Sequence, residues 1–176
     1  MDKNYSLLGR HDHWLADNSY SISRQPERLK PLVNHKGSLT SVLIALADGD
    51  FEVNLLGQKI SLPYYHEQIK LRRPLYKAAM VREVELVIGG VAVVYARSIV
   101  PLNLVSKGKS GLANLGRTPL GHLLFKDGKI RVSKREFATI DYNGTNITAR
   151  RTPYDYQGSV ILVAEFFLPS IEKFID

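Results

Sequence analysis

Residues 77–101 read KAAMVREVELVIGGVAVVYARSIVP, and the fold is decided there. Two runs rich in β-branched residues flank Gly89-Gly90, a dipeptide suited to the two-residue turn of a β-hairpin. Side chains alternate across a strand, so Ala78, Met80, Val84, Leu86 and Ile88 share an apolar face with Arg82 in phase. Glu83 and Glu85 mark the opposite, wetter face. Counting outward from the turn sets Ile88 against Val91, Leu86 against Val93, Val84 against Tyr95 and Arg82 against Arg97. Two arginines opposed on a core face are unfavourable unless an anion bridges them. Salt bridges to carboxylates of the same chain, or a bulge that carries one arginine to the surface, explain the pattern equally well.

Working outward, Ser38 caps a helix over residues 39–47 (LTSVLIALA), which Asp48-Gly49 ends. FEVNLL and QKISL around Gly57 read as a short strand pair or one bent strand, and residues 64–73 form a polar amphipathic segment stopped by Pro74. Short helices are expected over residues 111–115 and 118–125, followed by a turn at Asp127-Gly128 and the extended run KIRVSKREFATID. ITARRTPYDY and SVILVAEFFLP around Gln157-Gly158 repeat the hairpin. Residues 1–27 form an irregular polar lead anchored by Trp14, and residues 28–176 the domain. The class is α+β, with a predominantly antiparallel sheet and a few short helices.

At 176 residues the chain is one domain, long enough to bury about two-thirds of its unfolded surface around an internal site. The absence of cysteine excludes disulfides, a thiolate nucleophile and sulfur-ligated zinc. No signal peptide or membrane-length apolar run is present, which points to a cytoplasmic protein. The net charge is +7, and residues 97–135 hold nine bases against one acid, Asp127. Such a field attracts nucleic acid, an anionic surface or a small acidic substrate. No recognition helix or aromatic interleaving accompanies the bases, so nucleic acid is disfavoured.

A second misplaced charge is Glu165, which interrupts the apolar run VILVAEFFL and must be paired, protonated or used. Arg82, Arg97 and Arg150 are its candidate partners, and an anion held by arginines beside this carboxylate would join the two anomalies into one site. At Thr118-Pro119-Leu120-Gly121, Thr caps and Pro begins a helix whose first N–H groups, those of Leu120 and Gly121, are free to meet an anion. Other motifs carry less. His11-Asp12-His13 lacks a third metal ligand, His35, His66 and His122 are scattered, and the sequons at Asn143 and Asn146 lack a secretory leader. No Walker or Rossmann glycine loop and no GxSxG elbow occurs.

The stretches ARSIVPLNLVS, LGRTPLGHLLF and LVAEFFLP, with the order of Arg82, Arg97, TPLG and Glu165, resemble the chorismate lyase (chorismate pyruvate-lyase) family over residues 30–170. The resemblance implies a six-stranded antiparallel sheet with helices over one face, forming flaps above an enclosed ligand. It implies conversion of chorismate to 4-hydroxybenzoate and pyruvate, the first committed step of ubiquinone synthesis, by a monomer without cofactor or metal. Arg82 and the Leu120 N–H would meet the bound carboxylate, Glu165 the ring hydroxyl, Leu39 the flap contact and Arg97 the ether side. The alternative is a non-catalytic small-anion sensor like the UTRA effector domains of transcription regulators, although residues 1–37 are too short and polar for their DNA-binding domain.

Overall fold

The computed structural model describes residues 5–18, 22–106, 112, 115–126, 128 and 130–175. One antiparallel sheet organises them. Its strands are β1 (Leu15–Ala16), β2 (Phe51–Ser61), β3 (Ala79–Ile88), β4 (Val91–Pro101), β5 (Arg131–Val132), β6 (Glu136–Tyr142), β7 (Thr145–Tyr156) and β8 (Ser159–Phe167). The spatial order is β1-β6-β7-β8-β4-β3-β2, with β5 pairing β7. The α+β class stands, with eight strands among the described residues rather than about six.

The hairpin at Gly89-Gly90 is present. Both glycines have positive φ, +55° and +71°, the backbone that a tight turn matching the strand twist demands. Its register departs from simple counting. Val87 pairs with Ala92, but Leu86 pairs with Val94, so Val93 is an extra residue on β4. This β-bulge shifts every later pair by one. Arg82 therefore faces Ser98, and Arg97 faces Glu83. The opposed-arginine arrangement is corrected: Arg82 and Arg97 lie on opposite faces of the sheet.

On the Arg82 face, helix α3 (Leu39–Leu46) begins at Ser38, whose Oγ accepts the Ser41 N–H at 3.4 Å, as a helix N-cap should. Leu39 and Leu43 of α3 pack on Val84, Leu86 and Ala96, together with Leu32 and Val33 of α2 (Lys30–Val33). Helix α5 (Leu102–Val105) follows β4, and helix α6 (Leu120–Lys126) covers the neighbouring part of the same face, with Leu120 and Leu124 on Met80, Tyr154 and Val163. The two helices meet closely. A Cβ at Gly121 would sit 3.0 Å from Ser38 Oγ, so glycine is what lets the start of α6 approach the start of α3. The short helix expected over residues 111–115 and the Asp127-Gly128 turn fall in part outside the described residues.

The other face is covered too. Helix α1 (Ser6–Arg10) and helix α4 (Tyr65–Lys70) lie against it, so short helices flank both faces. Glu85, expected to be wet, is 2% exposed and accepts hydrogen bonds from Tyr5 Oη at 2.7 Å and Asn54 Nδ2 at 2.9 Å. Tyr5 stacks on Tyr95 with ring centroids 4.5 Å apart. Residues 5–16 of the polar lead are thus docked through Tyr5, Leu8, Trp14 and β1.

Candidate functional site

Between α3, α6 and the sheet lies a narrow cavity. Leu39, Arg82, Leu120 and Glu165 all line it, with Ser38, Thr40, Ser98 and Tyr154 as further polar lining. Four of the five residues singled out from sequence therefore share one enclosure. Arg97 does not.

Arg82 reaches the cavity from β3 and is 1% exposed. Its Nη2 donates to the carbonyls of Gly116 at 3.0 Å and Thr118 at 3.1 Å, and its Nε has no partner. Among the described residues no carboxylate lies in salt-bridge reach of it. Burial alone lowers its pKa, because a charge withdrawn from water is held only by neutral dipoles. A desolvated guanidinium without a counter-ion is costly, and an entering anion relieves that cost.

Glu165 stands two strands away on the same face. It pairs in register with Arg150 of β7, whose Nε donates to Glu165 Oε2 at 2.5 Å. Arg150 is fully buried, and its Nη1 donates to the carbonyls of Leu32, Val33 and His35 at 3.3, 2.9 and 3.1 Å. Burial works against the Arg150 charge, but Glu165 more than offsets it and the pKa is raised. The carboxylate is thus held in place by an arginine that is itself locked to the end of α2. Counting back from the Gln157-Gly158 turn sets Arg150 opposite Glu165, because no bulge interrupts β7 and β8. Sequence reasoning left this pair among three alternatives and missed Tyr154 altogether.

Arg97 is equally buried but engaged elsewhere. Its Nε and Nη2 clasp the two carboxylate oxygens of Glu67 at 2.7 and 3.1 Å, and Nη1 donates to Glu83 at 3.0 Å. Burial opposes this charge, and the hydrogen bonds donated to Glu67, with the negative charges of Glu67 and then Glu83, overcome it and raise the pKa. Its guanidinium also lies 4.5 Å from the centre of the Tyr64 ring. The side chain joins α4 to the sheet on the face away from the cavity. Of the histidine motif, His13 and Asp12 have side chains 92% and 64% exposed, and no group of three metal-ligating side chains occurs among the described residues.

Fold and cavity define a class: a small α+β domain whose single antiparallel sheet encloses a pocket with a buried arginine and glutamate in its wall. Solved structures share the architecture. The effector domain of PhnF from Mycobacterium smegmatis superposes with a TM-score of 0.55 at 14% identity, over 76% of this chain and 90% of that one. A GntR-family transcriptional regulator from Enterococcus faecalis gives 0.53 at 17% identity, over 67% of this chain and 94% of that one. These likenesses show the fold alone. The family model described as chorismate lyase matches residues 12–174, and the chain belongs to that family. Curated relatives named probable chorismate pyruvate-lyase agree. That of Aromatoleum aromaticum is 34% identical, over 84% of this chain and 88% of its own length. That of Pseudomonas putida is 38% identical, over 77% and 79%. The protein is accordingly a lyase, and among the described residues no helix is long and apolar enough to cross a membrane.

Proposed function

We propose that the chain eliminates pyruvate from chorismate to give 4-hydroxybenzoate, and that this supplies the ring from which ubiquinone is built. The observation that carries the reading is Arg82: a buried cation with no acidic partner among the described residues, set in the same cavity as Glu165. Chorismate carries a ring carboxylate, a hydroxyl on the opposite ring carbon and an enolpyruvyl ether beside that hydroxyl. The ring carboxylate docks on Arg82, with the Leu120 N–H as a second donor and Leu39 closing the pocket from α3. Glu165, held by Arg150, accepts the hydroxyl hydrogen bond.

The chemistry asks little beyond this. The ether C–O bond breaks, the hydroxyl-bearing carbon gives up its hydrogen as a proton, and those electrons complete the aromatic ring. The departing enolpyruvate takes up a proton and becomes pyruvate. Aromatisation drives the step, so the protein's work is orientation and stabilisation of charge on the leaving group. Arginine suits the task because it stays protonated when desolvated and binds carboxylates through two N–H groups.

The test is purified protein with chorismate, no metal or nucleotide added. 4-Hydroxybenzoate absorbance and pyruvate, followed by a coupled lactate dehydrogenase, are expected to rise in equal amounts. Binding of chorismate without either product would instead identify a small-anion sensor.

A further inference from the structure

Strand β2 ends the sheet, and among the described residues no strand pairs its outer edge. Leu55, Leu56, Ile60 and, just past the strand's end, Leu62 are exposed, Ile60 by 67%. An edge so long and apolar is a template for a further strand. Its charges are Glu52 near one end and Lys59 near the other, both exposed. They lie seven positions apart, so strict alternation would set them on opposite faces. The pairing with β3 shows otherwise. Leu55 faces Val84 and Gly57 faces Glu83, so Leu56 is an extra residue, a β-bulge. Glu52, opposite Val87, and Lys59, opposite Val81, therefore share the face away from the cavity, while Phe51 and Ile60 share the other.

We infer that β2 pairs antiparallel with β2 of a second copy of this chain, about a two-fold axis passing between Leu55 and Leu56, in place of the monomer that the resemblance implies. In that register Glu52 of each copy opposes Lys59 of the other, Phe51 opposes Ile60, and Leu55 opposes Leu56. Opposed side chains fall on matching faces because the two bulges coincide at the axis. A regular strand would meet this edge only with a further shift of register. The hydrogen-bonding phase agrees. The Asp50 carbonyl accepts the Gly89 N–H at 3.1 Å, so the backbone groups of Asp50, Glu52 and Asn54 turn toward β3 and those of Phe51 and Val53 turn outward. The same alternation past the bulge turns Ile60 outward. Phe51 and Ile60 then form a hydrogen-bonded pair, and Glu52 and Lys59 a non-hydrogen-bonded one, in which opposed side chains lie closest. Two reciprocal ion pairs thus frame an apolar centre. One sheet runs through both copies with their cavities on the same side, and Val53, which lines the cavity from β2, has a strand behind it. The pairing is independent of the proposed reaction.

Sedimentation velocity on the full chain, from about 1 to 200 µM, is expected to show a monomer–dimer equilibrium with a micromolar dissociation constant, because one strand pair buries little area. Glu52→Lys and Lys59→Glu should each weaken the dimer about fivefold by opposing like charges. The double variant, which exchanges the two charges, should return it to within about twofold of the unaltered protein. Ile60→Pro removes an outward N–H and leaves the bonds to β3 in place, so it should abolish the dimer with the circular dichroism spectrum unchanged. A protein that stays monomeric at the highest concentration would overturn the inference and leave the edge to a strand of another protein. A dimer indifferent to all these substitutions would overturn it too, by placing the contact elsewhere. Single charge variants that weaken the dimer without recovery in the double variant would refute the register.

Discussion

Replacing Arg82 with methionine separates binding from stability. The guanidinium makes two hydrogen bonds to backbone carbonyls, of Gly116 and Thr118. Hydrogen bonds to a charged group contribute about 1.5–3 kcal/mol each, so about 3–6 kcal/mol is lost. Against this, the variant escapes the penalty of an ion held out of water without a counter-ion, itself several kcal/mol, and buries an apolar chain of similar length. The two nearly cancel, leaving a net change within about 2 kcal/mol, or a Tm shift within about 8 °C for a domain of this size. Binding has no such compensation. Removing one partner of a desolvated charge pair costs about 2–5 kcal/mol, which weakens 4-hydroxybenzoate by about thirtyfold to several-thousandfold. Calorimetric titration with product, beside thermal unfolding followed by circular dichroism, reads both quantities on one sample. Product affinity that survives Arg82→Met would refute the reasoning. A Tm falling by more than about 15 °C would instead make Arg82 a latch for residues 116–118.

Glu165→Gln keeps the shape but removes the charge that Arg150 opposes, so turnover falls, product affinity drops about tenfold and Tm declines; tighter product binding would assign Glu165 another task. Glu67→Ala strips Arg97 of its bidentate partner inside the fold and is expected to cost about 3–5 kcal/mol, read as a Tm lower by about 6–20 °C. His66, whose ring meets the Gly9 carbonyl and Arg151, has its pKa lowered below 6.5, first by burial. The unfolded chain therefore takes up a proton more readily than the folded one, and stability declines as pH falls below about 6.5. In His66→Gln that part of the slope should vanish, as urea midpoints at pH 7.5 and 5.5 will show.

Charge inside an apolar strand is a legible signal because burial makes it costly. Arg82 and Glu165 stood out in VREVELVI and VILVAEFFL, and both line one cavity. The register of the first hairpin was not legible. Val93, Val94 and Tyr95 are all 0% exposed, so β4 is buried on both sides around the bulge and the alternation that would betray an extra residue is erased. Arg97 consequently reads as a core-side partner of Arg82 when it belongs to the far face. The second hairpin has no bulge, and its turn alone suffices to set Arg150 opposite Glu165. Docking of the lead was hidden for another reason. Tyr5 meets Glu85 across 80 residues, and nothing local in a polar segment announces so distant a contact.

The most direct test is a structure determined with 4-hydroxybenzoate bound. Its carboxylate should sit on the Arg82 guanidinium and its hydroxyl within hydrogen-bonding distance of Glu165, beneath Leu39 and Leu120. A ligand lying outside that enclosure, or turned end for end with its hydroxyl on Arg82, would contradict the account.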